Sequence, residues 1–265
     1  MSSSQQYIEL YEETRGMLSQ HSAPALNALR DQAFEDFRRQ GFPTQKVERY
    51  KYTDVEEAFA PNYGLNLKRL DIPVNPYDVF KCDVPNLSTS LYFMVNDQFY
   101  SKVLPAASLP EGVIVGSLRE AAEQHPELIK KYYGTLARTH KDAINALNTM
   151  LVQDGLFVYV PQGVTLDRPL QVVNILRSDV NLMVNRRVLV VLEEGAQAKL
   201  LFCDHAADDR DFLTTQVCEV FVGENAHLEL YELEETHVHN HRFSNLYADQ
   251  ARYSTATLDS ITLHN

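Results

Sequence analysis

Residues 194–200, EGAQAKL, and residues 224–230, ENAHLEL, are two copies of one short pattern set 30 positions apart. Each copy follows a run rich in β-branched residues, at 188–192 and at 216–222, and each leads into another strand-like stretch. Self-similarity at a fixed period of this length is typical of stacked β architectures. One coil cannot bury its apolar face alone, so the next coil must cover it. The repeat therefore predicts an extended β-solenoid.

The composition of the 265-residue chain is that of an ordinary soluble protein, with 45% hydrophobic and 23% charged residues. A net charge of −12 argues against nucleic-acid binding, because a phosphate backbone requires a basic surface. Residues 1–6 lack the basic and apolar regions of a signal peptide. No apolar run in the sequence approaches the ~20 residues that cross a bilayer. We therefore expect a cytoplasmic protein with neither a nucleic-acid nor a membrane partner.

The first half of the sequence has the spacing of helices. Apolar residues recur every three or four positions between Ser22 and Gly41, and a weaker pattern of the same kind covers 7–18. Ser117 followed by Glu120 forms a capping box, which predicts a helix start. A further helix is expected over 141–152.

Other parts of this half are not helical. Residues 90–104 alternate like a strand pair with a turn at Asn96-Asp97. Prolines, asparagines and a glycine predict an extended, loop-rich connection over 61–85. The charged and aromatic segment 41–54 is interpreted as an amphipathic connector, whose tyrosines pack on the domain while its charges stay solvated.

The pattern changes after Gly155 to short strands separated by turns. These strands are predicted at 156–161, 170–175, 188–192 and 198–203. We place the division near residue 153 and predict two domains that pack together. They are a helical and mixed α+β amino-terminal domain, 1–152, and a β-solenoid core, 153–265, incomplete at its carboxy-terminal end.

The stretch 254–265 still has the pattern of a strand where the sequence stops. An open terminal coil leaves unpaired backbone groups and apolar surface, and no capping helix follows. We expect either that the chain is part of a longer one or that a partner covers the open coil.

The three cysteines, Cys82, Cys203 and Cys218, are widely spaced and form no CxxC pair or zinc-finger pattern. Cys203 and Cys218 lie inside apolar strand-like runs, where a free cysteine behaves as a small buried hydrophobe. Neither a disulfide framework nor a cysteine metal site is predicted.

Residues 234–241, EETHVHNH, hold the most chemically suggestive side chains. On a strand, His237, His239 and His241 would share one face and could bind zinc or iron. Like-facing strand residues stand ~7 Å apart, whereas two ligands of one ion lie within roughly 4 Å of each other. At most two of the three could meet on one ion without a bend. A solvated polar edge or turn is therefore favoured over a metal site.

The adjoining stretch 204–211 gives weaker signals. His205 is a second candidate ligand, and four aspartates with Arg210 are interpreted as a solvated loop, since they lack the glycine-containing spacing of a calcium loop. The sequence contains no GxSxG elbow, Walker A loop, GxGxxG motif or HExxH motif. No catalytic, cofactor-binding or metal residue is assigned.

Two stretches resemble the SufB/SufD family of the Suf machinery for iron–sulfur cluster assembly, and its SufD branch more than its SufB branch. The first is 42–53, FPTQKVERYKYT, similar to a family segment in which tryptophan often occupies the position of Tyr50. The second runs from LNT at 147–149 through GLFVYVPQGV at 155–164, with RPLQV at 168–172 following. The resemblance extends from about residue 20 to the end.

This resemblance implies a right-handed parallel β-helix and a non-enzymatic scaffold. The implied partners are a SufB-like paralogue and a SufC-like ATPase, and the iron–sulfur cluster would form on the complex, with no cofactor bound by this chain alone. A homodimer of the isolated chain is compatible with it. The family continues well beyond residue 265, where its proposed histidine ligand lies. No cluster-ligand role is therefore carried onto His237, His239, His241 or His264.

Two other functions fit the residues less well. One is a metal-dependent, polysaccharide-acting β-helix enzyme that uses the His237–His241 strand, a class that is mostly secreted. The other is a stand-alone binding module that uses the solenoid face. Metal bound tightly by the chain alone would favour the enzyme, and co-purification with an ATPase would favour the scaffold.

Overall fold

The computed structural model describes residues 2–80, 89–102, 104–105 and 108–264. Cys82 lies outside the described residues. The helices are α1 (Ser3–Gln20), α2 (Pro24–Asn27), α3 (Arg30–Gln40), α4 (Val55–Ala58), α5 (Pro76–Val79), α6 (Leu118–Gln124), α7 (Pro126–Tyr132) and α8 (Ala143–Leu151), with 3-10 turns at Glu48–Tyr50 and Ala137–His140.

The strands form two sheets that share a parallel, coiled topology. They are β1 (Ser90–Val95), β2 (Gln98–Phe99), β3 (Ile114–Ser117), β4 (Leu156–Val160), β5 (Leu170–Leu176), β6 (Leu182–Leu192), β7 (Gln197–Ala206), β8 (Phe212–Val222), β9 (His227–Thr236), β10 (Asn240–Gln250) and β11 (Thr255–His264). One sheet has the order β11-β9-β7-β5-β1-β2, and the other has the order β10-β8-β6-β4-β3. The chain from β4 to β11 alternates between the two sheets, which makes a parallel β-solenoid of four coils.

The strand register confirms the 30-residue repeat. Val188 pairs with Cys218 in one sheet, and Gln197 pairs with His227 in the other. The last coil is shorter, because Phe212 pairs with Asn240.

The repeated pattern marks the turn that joins the two sheets. Gly163, Gly195, Asn225 and Tyr253 occupy equivalent turn positions and have φ values of 71°, 68°, 57° and 58°. The amide N–H of Gly195 donates to the carbonyl oxygen of Glu224 on the next coil at 2.8 Å. Glycine and asparagine adopt this left-handed conformation at the lowest cost, which explains why EG in the first copy becomes EN in the second.

Alternate residues of each strand point between the two sheets. The apolar part of this interior includes Val158, Val190, Leu200, Val220 and Leu230, all buried. Side chains from both sheets thus form one core, as period-two alternation requires. Both Cys203 and Cys218 are buried, as expected from the sequence.

The helices cover the outer face of the β6–β8 sheet. Helices α1, α3 and α8 pack there with Met183 and Leu213, while α2, α6 and α7 pack with Leu189 and Val191. Both faces of β6 are therefore buried along its whole length. No helix within the described residues is long and apolar enough to span a membrane.

The predicted helices are present with changed limits. The single helix expected between Ser22 and Gly41 is divided into α2 and α3, which are separated by Ala28 and Leu29. The first helix is longer than 7–18. The Ser117 hydroxyl accepts a hydrogen bond from the Glu120 amide at 3.1 Å, which confirms the predicted helix start with Ser117 as its N-cap.

The first 152 residues also contribute strands to the solenoid. β1 pairs with β5 in parallel, β2 pairs with β1, and β3 pairs with β4 in antiparallel orientation. The turn at Asn96-Asp97 joins β1 to β2, as expected. The division at residue 152/153 stays a prediction.

Candidate functional site

The segment 41–54 is anchored to the helix that precedes the solenoid. The Tyr50 hydroxyl donates to the Asp142 carboxylate at 2.9 Å, and the Arg49 guanidinium donates to the same oxygen at 3.0 Å. Asp142 is also the N-cap of α8, since its other oxygen accepts from the Ile144 amide at 2.8 Å. One carboxylate thus joins the segment to the start of α8.

Polar contacts continue from α8 to β10. The Asn145 side-chain amide donates to the Tyr247 hydroxyl at 2.7 Å, and the Asn245 amide donates to Asn145 Oδ1 at 2.9 Å. The His140 ring stacks on Tyr247 with centroids 4.2 Å apart. Burial raises the pKa of Tyr50, and the Asp142 carboxylate raises it further. Tyr50 is therefore neutral and acts as a hydrogen-bond donor.

A buried ion pair joins the outer face of the solenoid to the segment after α7. Arg187 and Glu219 are fully buried, and Arg187 Nη2 lies 2.7 Å from Glu219 Oε2. The Glu219 carboxylate also accepts from the backbone amides of Gly134, Leu136 and Ala137. Four donors surround one buried carboxylate, which compensates for its loss of hydration.

Aromatic and backbone contacts complete the surroundings of Arg187. Its guanidinium lies over the Tyr133 ring, 4.7 Å from the centroid, and donates to Thr149 Oγ1 at 3.1 Å. Gly155 approaches the same strand so closely that an added Cβ would lie 2.1 Å from the Arg187 carbonyl oxygen. This explains why glycine precedes the strand at the second family-like stretch.

The interior of the solenoid contains a second set of charges, here called the polar layer. Its members point between the two sheets. They occupy every second position along their strands, in phase with inward-facing residues such as Val188 on β6 and Leu230 on β9. They are Arg186 on β6, Asp204 on β7, Thr214 and Gln216 on β8, Glu232 and Glu234 on β9, and Asn240, Arg242 and Ser244 on β10.

Ion pairs in the polar layer bridge the two sheets. Arg186 forms a buried salt bridge with Asp204, and Arg186 Nε donates to the Asn96 carbonyl oxygen at 2.9 Å. Arg242 lies 3.2 Å from Glu232, 3.5 Å from Glu234 and 3.7 Å from Asp204. Two guanidinium groups are thus shared among three carboxylates inside the protein.

The structure corrects the interpretation of 204–211 as a solvated loop. Asp204 is only 3% exposed and belongs to β7, which extends to Ala206. Only the later part, around Asp208 and Asp209, forms the connection. His205, the neighbour of Asp204, faces the opposite way, with Nδ1 3.8 Å from Glu235.

The three candidate histidines do not share one strand face. His237 and His239 lie in the turn between β9 and β10, and His241 is the second residue of β10. His237 Nε2 lies 2.7 Å from the Asp208 carbonyl oxygen, and His239 Nδ1 lies 3.3 Å from the Asp211 carboxylate. The single strand on which the metal-site hypothesis depends is therefore absent. The favoured alternative, a turn, is confirmed for His237 and His239.

Among the described residues, no three histidine, cysteine, aspartate or glutamate side chains are placed to share one ion. Burial raises the pKa of the Cys218 thiol well above its usual range, and the nearby Glu232 and Glu219 carboxylates raise it further. Cys218 is therefore a thiol in the core and a poor nucleophile.

Sequence reasoning missed the two buried ion-pair systems. Arg186 and Arg187 stand together inside a strand that is otherwise almost wholly apolar, and Glu219 has a similar place in β8. Charges at such positions are rarely buried without partners, so they were a usable signal. Their partners could not be named, because each pair depends on contacts across 18 or 32 residues.

Comparison with known families accounts for nearly the whole chain. The model described as "SufBD protein N-terminal region" matches residues 1–172. The model described as "SUF system FeS cluster assembly, SufBD core domain" matches residues 175–265. The chain belongs to the SufBD family. The boundary between the two family models falls inside β5, so the first model includes β4 and only the beginning of β5.

Curated relatives within the SufBD family are identical to this chain at 26% to 33% of the aligned residues. Iron-sulfur cluster assembly protein SufD of Bacillus subtilis is 26% identical over 85% of the chain and 51% of its own length. The SufBD family protein ABCI9 of Arabidopsis thaliana is 29% identical over 66% of the chain and 36% of its own length. The family protein slr0074 of Synechocystis is 33% identical over 45% of the chain and 25% of its own length. The chain spans about half the length of these relatives, or less.

Proposed function

We propose that this chain is a scaffold subunit of a Suf-type iron–sulfur cluster assembly complex. In this complex it pairs with a SufB-like paralogue, is engaged by a SufC-like ATPase, and has no catalytic activity of its own. The observation that carries the proposal is the match of both SufBD family models, which together extend over residues 1–172 and 175–265.

The arrangement of charged groups supports a scaffold. Four deeply buried ones, Arg186, Arg187, Asp204 and Glu219, are engaged with each other or with backbone groups. Such pairs are costly to break, because removal of one partner leaves the other charge buried without compensation. A solenoid with helices packed on one sheet offers extended surfaces to partners.

The metal-dependent enzyme remains the alternative to be tested. His239 is half exposed and lies close to two carboxylates, Asp211 at 3.3 Å and Asp209 at 3.8 Å, which contact different ring nitrogens. The two ring nitrogens of an imidazole point in different directions and cannot bind the same ion. The two carboxylates therefore do not converge with His239 on one ion. Only the types of these residues, a histidine and two aspartates, are in favour of a metal-dependent enzyme, and their geometry is not.

Partner recovery tests the proposal directly. We would tag the full-length native product in its own cells, purify it without oxygen, and identify by mass spectrometry what accompanies it. We expect a SufB-like paralogue and a SufC-like ATPase in fixed ratio. Recovery of the chain alone, especially with bound metal, would contradict the scaffold role.

A substitution separates the two functions in cells. His239→Ala removes the imidazole next to Asp211, and we expect cluster assembly to remain intact because a scaffold does not use this side chain. Assembly can be followed through the activity of an iron–sulfur enzyme at equal protein abundance. Loss of assembly with normal abundance would favour a ligand role for His239.

A further inference from the structure

The polar layer inside the solenoid has more hydrogen-bonding groups than the protein satisfies. Four of its buried side-chain atoms have no hydrogen-bond partner among the residues that the structure describes, namely Arg186 Nη2, Thr214 Oγ1, Asn240 Oδ1 and Arg242 Nε. Buried polar atoms are nearly always paired with protein or with ordered water. The two guanidinium nitrogens are donors, the amide oxygen is an acceptor, and the hydroxyl can donate and accept. A ligand that satisfies all four atoms must therefore both donate and accept hydrogen bonds.

These atoms belong to one region of the interior. Arg242 and Thr214 are register partners on neighbouring strands, and Asn240 shares the inward face of β10 with Arg242. Arg186 and Arg242 both contact the Asp204 carboxylate. The four unsatisfied atoms are thus grouped around Asp204 and Arg242 rather than scattered through the molecule.

An open cavity adjoins this group at the β10 end of the solenoid. Its volume is about 900 Å³, and inward-facing residues of the last coil line it, among them Glu234, Asn240, Arg242, Ser244 and Thr262. Solvent can therefore reach the polar layer from this end. The segment 49–63 forms the other wall of the cavity.

The larger apolar cluster of the same interior provides an internal contrast. Val188, Val190, Leu192 and Phe202 are buried among other apolar side chains and offer no polar group. Water does not occupy such an environment, whereas it binds where two to four polar partners converge.

We propose that the polar layer is a binding site for a chain of ordered water molecules. The waters bridge Arg186, Thr214, Asn240 and Arg242 and continue into the cavity at the β10 end. The hydrated layer then lies between two dry apolar clusters of the interior, one that includes Val188 and one that includes Leu182 and Phe212. This site does not depend on the proposed role in cluster assembly.

Thr214→Val tests the proposal, because valine keeps the shape of threonine and removes the hydroxyl. Magnetic relaxation dispersion of water ¹⁷O counts the molecules that stay bound longer than the protein takes to tumble. We expect the variant to lose at least one such molecule and to unfold at a lower urea midpoint. An unchanged count with an equal or higher midpoint would mean that the Thr214 hydroxyl has no water partner, which overturns the proposal.

Thr215→Val is the matched control on the same strand. The Thr215 hydroxyl is bonded within the protein, to Asn185 Oδ1 at 2.8 Å and to Asn148 Nδ2 at 3.0 Å. We expect this variant to lower the midpoint without changing the water count, which separates hydration from stability. A loss of water in Thr215→Val equal to that in Thr214→Val would contradict the assignment.

High-resolution crystallography of the unaltered chain gives a second measure that needs no variant. We expect water density within hydrogen-bonding distance of Arg186 Nη2 and Arg242 Nε. Guanidinium groups that instead pair fully with protein acceptors, with no water beside them, would overturn the proposal.

Discussion

Val190 lies on β6 in the larger apolar cluster of the interior and has no exposed surface. Val190→Asp would bury a carboxylate without a partner, and we expect the free energy of unfolding to fall by roughly 3–5 kcal/mol. Urea denaturation followed by circular dichroism measures the change. Val238→Asp is the matched control, since Val238 is 70% exposed in a turn. An unchanged midpoint for Val190→Asp would contradict its place in the core.

The cysteines give a second test at the scale of single residues. In Cys82→Ser the remaining thiols, Cys203 and Cys218, are both buried, and the raised pKa of Cys218 leaves little thiolate. We expect neither thiol to react with iodoacetamide at mildly alkaline pH in the folded state, and both to react in urea. Mass spectrometry counts the adducts. Rapid native labelling of Cys218 would show that the core opens or that its strand faces outward.

At the scale of elements, the segment 41–54 is attached through one tyrosine and presents another to solvent. Tyr50→Phe removes the hydrogen bond to Asp142, and we expect a loss of about 1–2 kcal/mol in unfolding free energy. Tyr52→Phe is the control, because Tyr52 is 90% exposed, and its unfolding midpoint should stay unchanged. Equal effects of the two substitutions would mean that the segment is not anchored at Asp142.

The pair Arg187–Glu219 connects three elements, β6, β8 and the segment after α7. Glu219→Gln leaves the Arg187 charge buried without a charged partner, and we expect a loss of about 3–5 kcal/mol. The pair Lys199–Glu229 is the exposed counterpart across β7 and β9, and Glu229→Gln should cause no measurable loss. Urea denaturation compares the two. A small effect of Glu219→Gln would indicate that the pair is hydrated.

At the scale of the whole molecule, β11 pairs only with β9 among the described residues, and its other edge is free. Ile261 and Leu263 on this strand are about half exposed. An unpaired edge strand with exposed apolar side chains favours association between chains. We expect the 265-residue chain to self-associate and Ile261→Lys with Leu263→Lys to reduce this, as measured by sedimentation velocity at equal concentration.

Leu70→Lys with Leu104→Lys adds the same charge at exposed apolar sites away from β11. This control variant should associate as the unaltered chain does. A chain that is monomeric without any substitution would contradict the prediction, and equal relief by both variants would attribute the effect to net charge.

The sequence by itself determined the solenoid, its period and most strand positions. The left-handed turn at Gly195 and Asn225 depends on local backbone conformation, and alternation along β6 to β9 depends on burial of every second residue. Both are properties of neighbouring residues, so the chain shows them directly. The family-like stretches at 42–53 and 147–164 likewise led to the SufBD family.

Only the tertiary structure decided which charges meet. Asp204 has the local composition of a loop, yet it pairs with Arg186 inside the solenoid. Partners in the polar layer come from opposite sheets, and Glu219 is enclosed by amides more than 80 residues away. Such contacts are fixed by how coils stack and helices pack, because no local pattern encodes the distance between side chains remote in sequence.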